Sequence, residues 1–435
     1  MKKIFVLVFL IFLVKLASSQ EQINLKETFM EAEYYILYED HKEALPLYLR
    51  LLNNGMENAY INYRVGECYL QIAGQKHKSI SYLEKAITDI SATFKEGSFK
   101  ETHAPKKSIF LLANAYQIDN KLDLAISTYK KFKESLAVND VYNIDYVDQQ
   151  IIACENAKEL MKYPTKIKQT NLGVPINNEF DNIRPIVSGN EKVICYTSKL
   201  KFYDAIYYSE KTDNEWTEPI NLSPVIKSDG DYYTSSLSFD GKTMILFRDD
   251  KFSGDLYISN YAGGTWQIPQ KLNKNINSKS WETHGVISAD GKTIYFSSDR
   301  ADGFGGLDIY KSIYDESLKD WGPAINLGSE INTAYNEDMP MISEDGKTLW
   351  FSSQGHYTMG GFDIFYTKKM DDTQWSNPVN MGYPINTTDD DLFFYPVQNG
   401  AYAYVSKCLK DGFGSEDIVR YEIFGPEHPF MVNVK

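Results

Sequence analysis

The feature that most limits what this chain can become is a phrase that returns at intervals of a little over fifty residues. It runs Ser-x-Asp-Gly-Lys-Thr, an apolar strand, a Gly-rich turn, Asp-Ile-Tyr, then Trp-x-x-Pro-x-Asn-Leu. Clear copies begin at Ser238, Ser288 and Ser343, and degraded ones at Ser188 and Val397. The Asp that opens the third strand of each copy recurs at Asp204, Asp255, Asp308, Asp363 and Asp417, with gaps of 51, 53, 55 and 54 residues. A unit of this size with several short strands cannot bury its apolar faces alone and must pack on its neighbours. Closing such an array into a ring gives a β-propeller, a platform that leaves only short edges.

One copy spells out the blade. Met339–Ser343 predicts the innermost strand, and Glu344-Asp345-Gly346-Lys347 a hairpin turn whose Gly takes positive φ. Thr348–Ser353 and Phe362–Lys368 predict the second and third strands. Trp375, matched by Trp216, Trp266 and Trp321, leads into an outer strand ending at Pro384-Ile385-Asn386. The last copy stops near Arg420-Tyr421-Glu422-Ile423 without a Trp-Pro-Asn phrase, while Asn171-Leu172-Gly173-Val174-Pro175-Ile176-Asn177 carries an outer-strand phrase ahead of the first copy. This N-terminal phrase is expected to supply the missing outer strand, which gives five blades and leaves no open edge.

Ahead of the propeller, 25–161 holds little Gly or Pro and repeats apolar residues at three and four. Three helix pairs align: Ala32, Tyr35, Ala44, Tyr48 and Leu51; Gly66, Tyr69, Ser79, Leu83 and Ala86; Ala113, Tyr116, Ala125, Tyr129 and Phe132. A small residue on one helix lets the next approach, and the Tyr three residues on fills the space beside it. This pattern resembles the tetratricopeptide repeat, whose unit is about 34 residues. Ala32 to Gly66 is 34 residues and Gly66 to Ala113 is 47, so thirteen are inserted around 91–107. The consensus Trp and Pro of that repeat are missing. A capping helix is expected near Ile144–Met161. The resemblance implies a groove that holds a peptide or partner segment.

The chain opens Met1-Lys2-Lys3, runs apolar from Ile4 to Val14, and places small residues at Ala17 and Ser19. That is the pattern of a secretory signal peptide cleaved after Ser19, too short to span a bilayer comfortably. No cysteine follows the cleavage site, so a lipid anchor is not supported. The net charge of −14 becomes −17 once Lys2, Lys3 and Lys15 leave, which argues against nucleic acid and anionic lipid as partners. Cys68, Cys154, Cys195 and Cys408 form no CxxC pair. They are expected to be free, buried thiols, with a Cys68–Cys154 bridge open in an oxidising compartment.

The domains expected are a signal peptide at 1–19, helical repeats with a capping helix at 20–163, the propeller at 164–424 and a tail at 425–435. The propeller residues, quoted as Ser288-Ala-Asp-Gly-Lys-Thr-Ile-Tyr-Phe-Ser-Ser-Asp-Arg and Gly303-Phe-Gly-Gly-Leu-Asp-Ile-Tyr, resemble the WD-repeat-like propeller of TolB-type proteins. The order of parts is similar to the periplasmic OmpA-family proteins of Bacteroidota, some of which serve type IX secretion. In that family a small β-sandwich and a peptidoglycan-binding domain follow the propeller. Here Phe430-Met-Val-Asn-Val-Lys435 looks like the first strand of that sandwich, so peptidoglycan binding is not carried over.

The candidate chemistry is acidic. Glu179 and Asp181, Asp229 and Asp231, Glu282 and His284, Glu337 and Asp338, and Asp389, Asp390 and Asp391 fall at similar offsets ahead of each inner strand. They are expected to crowd one face around the channel as a binding rim for a basic or sugar ligand. The competing reading is a solvated acidic face with turn caps. The third-strand Asp residues are read as turn caps; Asp302-Gly-Phe-Gly-Gly-Leu-Asp308 lacks the ligand density of a calcium loop. No catalytic residue, cofactor or metal is assigned. There is no Gly-x-Ser-x-Gly, His-Glu-x-x-His or P-loop. The expectation is a non-enzymatic periplasmic scaffold that binds envelope proteins through the helical groove and the propeller face. The alternative is a propeller glycoside hydrolase, which needs a carboxylate pair across the channel, or a glycan-binding protein using the rim.

Overall fold

The computed structural model describes residues 24–249, 253–371, 374–426 and 428–429. The signal-peptide segment and residues 430–435 of the tail lie outside them. No helix among the described residues is long and apolar enough to cross a membrane. The chain groups into two compact units, Met1–Ala115 and Tyr116–Lys435.

The first unit is helical. α1 (Leu25–Leu37) pairs with α2 (His41–Asn53), and α3 (Ala59–Leu70) with α4 (Ser79–Ala86). Asn24, Asp40 and Asn58 cap α1, α2 and α3 by accepting backbone N–H bonds three residues on. The small positions do what the pattern requires. Ala32 and Ala44 are fully buried, and a Cβ on Gly66 would stand 2.5 Å from Leu83 Cγ. The insertion after α4 is not a free loop. Phe94 packs on Tyr60 and Tyr63, and Phe99 on Phe29. Tyr60 N–H donates to Thr102 O, and Gly97 N–H to the Tyr60 hydroxyl. The inserted residues therefore lie across α1 and α3, the first helices of their pairs.

The second unit contains the end of α5 (Lys107–Ile118), α6 (Leu122–Ser135), α7 (Val141–Leu160) and the propeller. α7 covers the place expected for the capping helix. It is fastened to the fourth blade: Gln149 Nε2 donates to Gln354 O at 2.9 Å and Asn156 Nδ2 to Thr358 O at 2.8 Å. Thr165 N–H reaches Tyr383 O at 2.6 Å. Residues 116–163 thus group with the propeller, whereas the sequence reading drew its boundary after 163. Side-chain amides on a helix surface carry no periodicity that announces such docking.

Five antiparallel sheets make the ring. Four are continuous in sequence, with inner strands Asp181–Val187, Tyr232–Leu237, Glu282–Ile287 and Glu337–Ile342. The fifth joins Ile167–Asn171 to Asp417–Ile423, Tyr402–Lys407 and Tyr395–Val397. Ile167 faces Ile423 and Asn171 faces Val419. The donated strand exists, but it lies earlier than expected. Asn171–Asn177 is instead mostly the loop after the strand, and that loop works as a clamp. Asn177 accepts from Ile418 N–H at 2.8 Å and donates to Ile418 O at 2.9 Å. Asn277, Asn332 and Asn386 hold the third strands of their own blades in the same way. The repeated Asn is therefore a backbone clamp, because a third-strand N–H and C=O would otherwise be buried unpaired.

The other repeated residues also have local tasks. Ser238 Oγ donates to Asp240 at 2.6 Å and accepts Lys242 and Thr243 N–H, while Gly241 takes φ +73°. Asp308 accepts Phe304 N–H at 2.7 Å and Asn326 Nδ2 at 2.8 Å; Asp363 and Asp417 repeat this arrangement. The Gly-rich turns allow blades to touch. A Cβ on Gly305 would meet Tyr335 O at 2.2 Å, and one on Gly414 would meet Phe180 O at 2.2 Å across the closing seam. At that seam Glu191 accepts from Tyr404 at 2.6 Å and from Arg420 Nε at 2.7 Å. All four cysteines are free, with only Cys408 exposed.

Candidate functional site

The repeated acids do not assemble into a shared rim. Inner strands begin earlier than the sequence reading placed them, so Asp181, Glu282, Glu337 and Asp338 lie within strands and are buried. Glu282, Glu337 and Asp391 occupy equivalent positions, and each turns back on the residue four before it. Ser278 N–H and Oγ donate to Glu282 at 2.9 and 2.8 Å, and Thr333 N–H and Oγ1 to Glu337 at 2.7 Å each. Thr387 Oγ1 donates to Asp391 at 2.9 Å. Asp231 pairs with Arg248. Asp338 accepts from Thr283 Oγ1 at 2.6 Å and from His284 Nδ1 at 3.1 Å, a bond between the third and fourth blades. Burial opposes ionisation of Asp338, but His284 and these donors more than offset it, and its pKa ends below the usual range. Glu179, Asp229 and Asp390 are exposed. These placements make most of the ten residues fold-holding groups.

Glu337 shows the cost of that duty. Arg300 stands 3.3 Å from Glu282 and Lys407 3.1 Å from Asp391, whereas among the described residues the donors to Glu337 are neutral. Burial pushes its carboxyl up to about 7. An unfolded Glu ionises near ~4.3. Its stabilisation is therefore complete below that value and is lost as pH rises through about 7. Ionising it in place costs about 4 kcal/mol. The expected result is a wild-type melting temperature that falls between about pH 5 and about pH 7.5, and a Glu337→Gln variant that is flat over that window. Melting curves across that range check it, and an equal slope in both proteins would count against it.

The feature unlike its symmetry mates lies at the axis. Inner strands carry register shifts at Ile183/Ile186, Thr234/Ser236, Glu282/Gly285 and Asp338/Met341. Such bulges re-aim side chains. Arg184, Thr234, His284, Met339 and Phe393, at equivalent positions of the five blades, are among the residues that line a small axial cavity. Arg184, Met339 and Phe393 take φ of 52°, 55° and 57°. The axis is also bridged between the fifth and second blades. Tyr395 Oη donates to Leu237 O at 3.0 Å and accepts Leu237 N–H at 3.1 Å.

A second cavity of ≈ 450 Å³ shares Arg184 and Phe393 with the axial one. Its cations are Arg184, Lys199 and Lys407; its carboxylates are Asp204, Asp249, Asp390, Asp391 and Glu416; Tyr233, Phe247 and Phe393 give it aromatic walls. Of the expected rim, only Asp390 and Asp391 take part. The Arg184 guanidinium lies against two rings, 4.6 Å from the Tyr233 centroid and 4.5 Å from that of Phe393. Its Nε and Nη1 are buried without a hydrogen-bond partner among the described residues. Burial draws its pKa down, against Tyr233, Asp204 and Asp338, and it remains charged. Burial raises the Asp204 carboxyl, with Lys199 and Arg184 opposing. The missed signal was loss of symmetry: Arg184 stands where the other blades have Thr234, His284, Met339 and Phe393.

No protein-family model matches the chain, and no curated protein matches it. Among solved structures it is similar to TolB from Acinetobacter baumannii, at 16% identity and a TM-score of 0.38, over 56% of this chain and 54% of that one. The chain thus spans about half of that relative's length. It is also similar to the catalytic domain of Coprinopsis cinerea GH62 alpha-L-arabinofuranosidase, at 9% identity and a TM-score of 0.42, over 60% of this chain and 98% of that one. Likeness at this level is one of fold.

Proposed function

We propose that the chain is a non-catalytic binding scaffold, exported to the periplasm and serving an outer-membrane-associated assembly such as type IX secretion or envelope maintenance. The observation that carries this reading is the employment of the symmetric carboxylates. Glu282, Glu337, Asp338 and Asp391 are committed to backbone and hydroxyl donors, which leaves no symmetric pair placed for acid and base work. The open feature is the mixed-charge, aromatic-walled cavity, a binding geometry. The helices fit a tetratricopeptide-type stack, but the insertion lies across α1 and α3. A partner in that groove must displace it, so the propeller cavity is the better docking point.

One observation favours a second reading, a glycoside hydrolase. Asp204 lines the cavity with its carboxyl raised by burial, as a general acid requires. The two readings separate cleanly. The scaffold should capture an envelope protein from extracts, lose it when Asp204, Asp249 and Asp390 are neutralised together, and leave a glycan panel intact. Hydrolysis abolished by Asp204→Asn alone, with unchanged folding, would favour the enzyme.

A further inference from the structure

Arg184 differs from the other arginines that take part in the packing. Arg64 pairs with Glu33 and Glu67, Arg248 with Asp231, Arg300 with Glu282 and Arg420 with Glu191. Among the described residues Arg184 has no such carboxylate, and two of its donor nitrogens are buried unpaired. Of the two acids that act on it, Asp204 and Asp338, Asp338 is already engaged by Thr283, Met339 N–H and His284. Guanidinium nitrogens held out of water without a partner are costly. The Tyr233 and Phe393 rings both lie against it. A guanidinium fork fits a carboxylate with two parallel bonds.

The cavity walls narrow the choice of ligand. Five carboxylates against three cations repel a bare anion such as phosphate. A carboxylate with a cation beside it satisfies both the fork and the walls. A volume of ≈ 450 Å³ lies within the usual range for ligand pockets. We propose that this cavity binds a peptide segment in which an acidic residue is followed by a basic one, with Arg184 taking the carboxylate and the Asp204 and Asp390 side of the wall taking the cation. The inference rests on the scaffold reading and supplies the chemistry of its partner.

The test is calorimetry on the full mature chain, with acetyl-Gly-Glu-Lys-Gly-amide as probe. The probe should bind at least ~10-fold more tightly than its Gln-for-Glu counterpart, the usual size of a charge-assisted hydrogen bond. Free glutamate and inorganic phosphate should bind more weakly than the probe. Arg184→Gln should abolish the preference for Glu over Gln. Its melting temperature should be unchanged or higher, since an unpaired buried charge is removed. Equal affinity for both peptides overturns the proposal, as does no binding of either at millimolar concentration. So does free glutamate or phosphate matching the peptide. A lower melting temperature in Arg184→Gln with unchanged peptide preference would make the residue structural and also overturn it. If Arg184→Gln still captures an envelope protein as wild type does, this inference falls and the scaffold reading stands. Glycan hydrolysis would sink the scaffold reading, and with it the partner proposed here.

Discussion

Deleting residues 166–177 should lower the stability of the propeller by on the order of 5 kcal/mol and leave it prone to aggregate. The deletion removes the outer strand facing Val419–Ile423. It also removes Ile176, which is fully buried, and leaves Ile418 N–H and C=O without Asn177. A buried Ile is worth about 2 kcal/mol, and each orphaned backbone group costs about 1–3 kcal/mol. For a unit of this size the melting temperature should drop by roughly 10 °C or more. Asn386→Ala gives the comparison, because it breaks the same clamp inside one blade. Its loss should be smaller, and the ring should stay closed. An unchanged melting temperature in the deletion would refute closure by the N-terminal strand.

Arg64→Met should destabilise the helical unit by about 3–5 kcal/mol, the usual effect of removing one side of a buried ion pair. Arg64 is 2% exposed. It donates to Glu33 Oε2 and Glu67 Oε2 at 2.8 Å each, and to Glu96 Oε1 on the insertion at 3.1 Å. Without it, two buried carboxylates lose their shared cation. Burial opposes ionisation of Glu67, but Arg64 and Lys107 more than compensate, so its pKa is depressed in the fold. Its contribution is therefore present above the unfolded value near ~4.3 and lost as pH falls through the folded value. In the variant the sign reverses, because protonation relieves the unpaired acids. The melting gap between wild type and variant should be widest at about pH 7 and narrow toward about pH 4. The insertion should also become easier to cleave, having lost its anchor at Glu96. Denaturation curves at both pH values, with limited proteolysis, check this. A constant gap across the range would mean that charge is not the cause.

Much of this protein was legible because its signals are local and repeated. The Ser-x-Asp-Gly-Lys turn, the capping Asp308 and its mates, and the small residues Ala32 and Gly66 act on neighbours a few residues away or on the next helix. A unit that recurs five times states its own boundaries. Strand count, hairpin turns, helix pairs and donation of an outer strand could all be read from that recurrence. The functions of individual carboxylates could not. Glu337 and Asp390 look alike in sequence, but one is sealed in a strand and the other is exposed, and only the starting residue of the inner strand separates them. The phrase Asn171–Asn177 predicts a strand where most of it is loop for the same reason: a repeated phrase identifies an equivalent position, not its conformation. The amides Gln149 and Asn156 gave no warning that α7 is fastened to the propeller. Arg184 is the clearest case. Its chemistry arises because bulges in strands far apart in sequence aim residues at a common axis, and because Tyr233 and Phe393 both come to lie against it. Sequence periodicity determined the architecture, since packing of repeats is a short-range problem. The site is where the repeats differ, and only ring closure in three dimensions brings those differences together.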